Sequence, residues 1–327
     1  MAAPLRLLAI LLALIPASAC RAQPDPKAPL VLERSIVLKG VNGRIDHLAI
    51  DVEHRRLFVA ELGAGAVETI DLTRGVSLGR ITGLKEPQGL GYLPSRDELV
   101  VASGGDGAVR FYRASDLLLV GTIALGADAD DVRVDPHSGK VVVGYGSGAL
   151  AVIDPAARKV VARLVLPAHP EAFELDGDRV FVNLPDARRI VAGDLANGRT
   201  TASWTAAHAW NFPMAFDAAS GTLAIVYRLP ARLQALAAGS GAAKADTATC
   251  GDADDVFFDP SRKRLYVICG SGAVDVFAMA HDERLARIVT PAGARTGLFA
   301  PELDRLFVAV RAGLGRGAAI RVYRPQP

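Results

Sequence analysis

Seven times along this chain a polar turn runs into a short apolar segment: DVEHRRLFVAE, LPSRDELVVAS, DPHSGKVVVGY, DGDRVFVNL, DAASGTLAIVY, DPSRKRLYVIC and PELDRLFVAV. Their first core residues are Leu57, Leu99, Val141, Val180, Leu223, Leu265 and Leu306, spaced by 42, 42, 39, 43, 42 and 41 residues. A near-constant period of this size marks a repeat architecture, in which one unit cannot bury its apolar surface alone and must stack on its neighbours. No other feature of the sequence restricts the fold so tightly.

Each unit holds several strand-like pieces. In the first, IDHLAID, RLFVAEL, AVETIDL and VSLGRITGL are divided by turn residues. Short β-rich runs with Gly, Pro, Asp and Asn between them read as strands and turns. Four strands per unit predict an all-β, seven-bladed β-propeller of four-stranded blades over residues 30–327. The last unit offers RTGLFA, RLFVAVR and AAIRVYR, and so lacks a strand, whereas LVLERSIVLKG near the N-terminus belongs to no unit. Pairing the two lets the N-terminal strand complete the last blade and removes two exposed edges.

The segments RLFVAELGAGAVETIDL and RLYVICGSGAVDVF resemble the YVTN-type repeats of secreted bacterial seven-bladed propellers, the YncE-like group, from Leu30 to the C-terminus. The Gly-His and Trp-Asp signatures of WD40 repeats are missing. The resemblance implies the propeller fold and an exported protein. It implies no single activity, because one fold serves many functions.

Export is also written in the first residues. MAAPLRLLAILLALIPASAC carries Arg6, an apolar run and the small residues Ala17-Ser18-Ala19, which predicts a signal peptide over residues 1–19 and a periplasmic location. Cys20 follows directly, as in a bacterial lipobox, although Ala17 stands where that motif usually has Leu. Lipidation at Cys20, with residues 20–29 as a linker, and plain cleavage are both open. A lipid anchor would be the membrane link, since no later stretch approaches the roughly 18 apolar residues of a spanning helix. Cys250 and Cys269 are expected to form a disulfide in an oxidising compartment, leaving Cys20 as the odd cysteine. With 37 basic and 35 acidic residues there is no basic field for nucleic acid.

Candidate chemistry comes from a repeated acidic tetrapeptide. Asp-Ala-Asp-Asp occurs in GADADDVRVDP and again in GDADDVFFDP. Aligning the inner strands as RIDHLAID, EPQGLGYL, DADDVRVD, AHPEAFEL, WNFPMAFD, DADDVFFD and ARTGLFAP gives two columns. One reads Asp46, Gln88, Asp130, Pro170, Phe212, Asp254 and Thr296; the other His47, Gly89, Asp131, Glu171, Pro213, Asp255 and Gly297. In a ring both columns meet at one channel mouth. An Asp before a strand also caps nearby backbone N–H groups, so each acid has a purely structural reading. Converging carboxylates repel unless something offsets them, and Arg228, Arg295 and Arg311 lie on the same face. The mouth is therefore an ion-pair network, a metal site or a pocket for a polar ligand.

The expected metal ligands are Asp46, His47, Asp131, Glu171 and Asp255, and such an oxygen-rich set favours Ca²⁺, Mg²⁺ or Mn²⁺. The wider ligand-binding set adds Asp130, His169, Asn211, Arg228, Asp254, Arg295 and Arg311. The layout is similar to that of gluconolactonase-like propellers, which hold a divalent cation at the channel mouth and hydrolyse lactones; this likeness is one of position, without residue-by-residue matches. No C-x-x-C-H or H-E-x-x-H motif is present. The long segment from Leu229 to Cys250 reads as a strand pair or a lid. Three readings follow: a binding module taking a small polar molecule, a cation or a protein partner at the mouth; a divalent-cation-dependent, lactonase-like hydrolase; and an inert scaffold.

Overall fold

The computed structural model describes residues 28–279 and 283–327. The export segment 1–19 and Cys20 lie outside the described residues. The chain forms seven four-stranded antiparallel sheets arranged as propeller blades. Their inner strands are Leu48–Asp51, Pro87–Leu93, Val132–Val134, Phe173–Asp176, Ala209–Asp217, Ala253–Asp259 and Gly297–Ala300. We number the blades 1 to 7 in that order. Each inner strand packs against the next around the ring, and that of blade 7 returns to that of blade 1.

The apolar pattern explains this arrangement. The second strand of blade 1, Arg56–Glu61, and that of blade 2, Glu98–Ser103, are buried at every residue. A strand covered on both faces reads as a continuous apolar run, which is why RLFVA and ELVVA stood out in the sequence. Outer strands such as Lys159–Val165 alternate between exposed and less exposed positions, since solvent reaches their edge. The buried residues form seven apolar clusters, and each draws on two adjacent blades. There is no single central core. A blade's hydrophobic surface is completed only by its neighbours.

The first-to-second strand turns use the same local device. Arg55, Asp97, Lys263 and Asp304 adopt left-handed backbone angles, φ between 48° and 53°, and Gly139 and Gly221 take the place in blades 3 and 5; the shorter turn of blade 4 puts its left-handed residue, Gly177, one step earlier. Preceding aspartates cap these turns: Asp51 Oδ1 accepts from His54 N, and Asp135 Oδ1 from His137 N.

Closure follows the expected route. The N-terminal strand Leu30–Leu38 lies antiparallel to Ala318–Pro325 and completes blade 7, with Ser35 opposite Arg321 and Leu38 opposite Ala318. Ile36 and Leu38 enter the cluster between blades 7 and 1. The segment after Leu229 is a strand pair, Ala231–Ala237 and Ala243–Ala248, and not a lid. Cys250 and Cys269 form a disulfide, with Cα atoms 5.8 Å apart.

Two outcomes follow. Ile36→Ala should lower unfolding free energy by about 2–4 kcal/mol, although Ile36 lies on the outermost strand. Val37→Ala, at a side chain 65% exposed, should change it by less than about 0.5 kcal/mol; denaturant titration compares them. Replacing both Cys250 and Cys269 by Ser should cost about 3 kcal/mol for a loop of this length, read in the same assay.

Candidate functional site at the channel mouth

Backbone hydrogen bonds define which residues share a level of the channel. Ala60 N donates to His47 O, Gly144 N to Asp131 O, Asn183 N to Ala172 O and Ala309 N to Thr296 O. Ala172 and Thr296 therefore stand level with His47 and Asp131. This corrects the expected columns in blades 4 and 7 by one residue. The outer ring is Asp46, Gln88, Asp130, Glu171, Phe212, Asp254 and Arg295; the ring below it is His47, Gly89, Asp131, Ala172, Pro213, Asp255 and Thr296. In blade 4 only residues 177 and 178 separate the first two strands, against residues 52–55 in blade 1, so counting forward from the strand misplaces Glu171. In blade 7 Pro301 begins a 3₁₀ turn instead of ending the strand. A one-residue slip moves a side chain to the other face, so the correction takes Glu171 off the level of His47.

Asp46, His47, Asp130, Asp131, Glu171, Asp254 and Asp255 all line one small cavity of about 50 Å³. Phe212, which stood in an aligned column, lines it too, as do Arg44, Arg133 and Glu174, which the sequence reading missed. Alternation would have found two: Arg133 lies two residues beyond Asp131, and so on the same strand face, and Arg44 lies two before Asp46.

Cations offset most of the acids. Arg44 Nη2 is 3.0 Å from Asp46 Oδ2. Arg133 pairs with Asp131 and reaches Glu174 at 3.5 Å. Arg228 pairs with Asp254, donates from Nε to Ala253 O at 2.8 Å, and stacks on Phe212 with its guanidinium 3.7 Å from the ring centre. Arg295 Nη1 lies 3.1 Å from Asp252, the first acid of the tetrapeptide and another residue the sequence reading passed over. Asp255 Oδ2 accepts from Gly297 N at 2.7 Å, across the blade 6–blade 7 boundary.

Three expected site residues stand elsewhere. Asn211 is fully buried between blades 4 and 5; its amide donates to Asn183 Oδ1 and Arg189 O, and Asn183 in turn donates to Phe212 O and Pro213 O. The pair anchors the irregular entry of the blade 5 inner strand and does not line the cavity. The His169 ring sits 2.6 Å from Gly146 O and 3.6 Å from Asp128, beyond the cavity wall. Arg311 is exposed and lies over Gly293, with no carboxylate partner among the described residues.

The field of the cavity shows in its titration. Burial, the largest influence, works against a charged His47 ring. The carboxylates of Asp131, Asp46, Asp255 and Asp130 outweigh it and lift the pKa to about 9. The ring is 4.0 Å from both Asp46 and Asp255. Burial raises Asp255 to about 7, against the pull of His47 and the Gly297 N–H. Burial also raises Asp130, Glu171 and Glu174. At neutral pH His47 is thus a protonated donor on both nitrogens. Two of the expected metal ligands already hold partners within the protein, Asp131 with Arg133 and Asp255 with Gly297. Among the described residues, no three His, Cys, Asp or Glu side chains are grouped to hold a metal ion.

Proton NMR titration, assigned with His47→Gln, should give His47 a pKa near 9. A histidine in the unfolded chain titrates near 6.5, so the folded protein holds this proton more tightly. The resulting stabilisation is complete below about pH 6.5 and is lost as pH rises through about 9. Unfolding midpoints should fall over that window in the wild type and fall less in His47→Gln.

No family model matches this chain, and no curated protein matches it. Solved structures do. A chain of the mitotic checkpoint complex aligns with a TM-score of 0.76 at 16% identity, covering 98% of this chain and 98% of that one. A chain of Kuenenia stuttgartiensis hydrazine synthase aligns with a TM-score of 0.74 at 16% identity, covering 87% of this chain and 98% of that one. At this identity the likeness is one of fold, and the chain is a seven-bladed β-propeller.

Proposed function

We propose that this chain is an exported binding propeller of the YVTN-repeat, YncE-like kind, which receives a small cationic or donor-rich group at its channel mouth. One observation carries the reading. Asp130 Oδ1 and Asp131 Oδ2 are buried at the cavity and have no hydrogen-bond donor. Asp46 Oδ2 and Asp254 Oδ2 face arginines at 3.0 and 3.6 Å without hydrogen-bond geometry. Buried carboxylate oxygens without donors are costly, and a ligand that brings donors removes that cost.

Size narrows the ligand. A cavity of about 50 Å³ admits a water, an ion or the tip of an ammonium or guanidinium group, but not a lactone or sugar ring. A larger molecule or protein partner would place its cationic tip in the mouth and the rest over the rim. Trp210 suits such a rim contact. It is 54% exposed, two residues before Phe212, and holds a left-handed backbone at φ 61° that bulky residues rarely adopt. The disulfide agrees with export, because such bonds persist in oxidising compartments. The donor set offers no support for the cation-dependent hydrolase.

Calorimetric titration with CaCl₂, spermidine and a lysine-rich peptide tests the reading. Binding by at least one is expected, weakened by about 10-fold or more in Asp131→Asn, as for a lost charge-assisted contact. Asp130→Asn should weaken binding while raising the unfolding midpoint of the free protein, since it replaces a buried carboxyl group without a donor by an amide that never ionises. Binding unaffected by both changes, or no binding of any of the three, rejects the proposal.

A further inference from the structure

Seven similar blades give the molecule an internal control, because the grooves between adjacent blades are built from equivalent positions. At the end away from the mouth, the groove between blades 3 and 4 encloses about 240 Å³ and that between blades 7 and 1 about 250 Å³. The groove between blades 5 and 6 encloses about 530 Å³, within the range of pockets that hold small molecules.

The register shows where the extra space comes from. Val152 lines the blade 3–4 groove, opposite Val142 on the neighbouring strand. Its equivalent in blade 5 is Ala235, opposite Ala224. Two methyl groups are thus missing from the wall. The floor of the larger groove is apolar, formed by Leu233, Leu265, Ala245 and Met279.

Charge changes along with volume. Leu195 N donates to Asp178 O in blade 4, and Met279 N to Lys263 O in blade 6, each at 2.8 Å, so Lys263 occupies the place of Asp178. On the facing wall the bulge residue of the outer strand is Val161 in blade 3 and Lys244 in blade 5. Lys244 Nζ donates to Thr222 Oγ1 at 2.7 Å, which holds the ammonium at the groove wall. The acid there, Asp217, is occupied by Ser220, whose backbone N–H and hydroxyl both donate to it. Relative to its counterpart, this groove has lost an acid and a bulky wall residue, has Thr222 where the counterpart has Lys140, and gains Lys244 and Lys263, a net change of two positive charges when the lost acid is counted.

We propose that the groove between blades 5 and 6 is a second binding site, separate from the channel mouth, for a small amphipathic carboxylate. The apolar body lies on Leu233, Leu265 and Met279 where Ala235 leaves room. Lys244 and Lys263 receive the carboxylate at the rim.

Calorimetry with decanoate as the probe tests this on the whole exported chain. One binding site is expected. Lys244→Ala combined with Lys263→Ala, both exposed positions, should weaken it at least 10-fold, and decanol should bind the wild type at least 10-fold more weakly than decanoate. Ala235→Phe should abolish binding, with circular dichroism confirming the fold. Asp130→Asn at the channel mouth should leave decanoate binding unchanged, so failure here and failure at the mouth are told apart. Decanoate binding that survives both the lysine and the Ala235→Phe changes, decanol binding as tightly as decanoate, or no decanoate binding to the wild type overturns the proposal.

Discussion

Burial of both faces of each sheet is the constraint on which the rest of the molecule depends. A four-stranded blade with an apolar second and third strand cannot stand alone in water. Its neighbours supply the missing half of each cluster, and seven clusters between seven blades require the ring to close. Closure in turn puts the starts of seven inner strands around one axis. The channel mouth is thus a geometric by-product of hydrophobic packing, and what varies between blades at those starts is free to carry chemistry.

That chemistry is a compromise between charge and burial. Seven carboxyl side chains line the cavity, against Arg44, Arg133 and His47. Arg228 and Arg295 close on Asp254 from the side. The surplus negative charge is handled in two ways. Burial favours the neutral forms of Asp130, Glu171 and Asp255, and the shared field keeps His47 protonated. The protonation of a mouth balanced in this manner shifts with small changes in pH.

The fold was legible in the sequence because period and two-faced burial leave strong marks. RLFVAE and RLYVIC hold unbroken apolar runs of four and five residues, and LVLERSIVL had no place except beside the incomplete last unit. The convergence of Asp46, Asp131 and Asp255 was legible for the same reason, since a residue's column fixes its place on the ring. Glu171 and Gly297 were misplaced by one step because turn length differs in blade 4 and Pro301 belongs to a turn. Arg44 and Arg133 were missed because acids at strand starts drew no notice to their neighbours on the same face, and Glu174 because Glu171 stood one step off its true level. Asn211 was misread because an amide looks alike in a sequence whether it faces a cavity or ties two backbones together. The enlarged groove of blades 5 and 6 was invisible, because an alanine registers as missing volume only beside its counterpart Val152.

The closing blade has one more consequence. Gln326 N donates to Pro29 O at 2.8 Å, just beyond the pairing of Leu30 with Pro325. The two ends of the propeller meet on one strand pair, so residues 29–326 form nearly a circle with a nick in it. Blade order is then cyclic. Circularly permuted chains, joined across residues 29 and 326 and opened at another surface turn such as that at Gly198, retain every sheet and every contact between blades. Such a permutation moves both ends away from blade 7 without disturbing either the acidic mouth or the groove of blades 5 and 6.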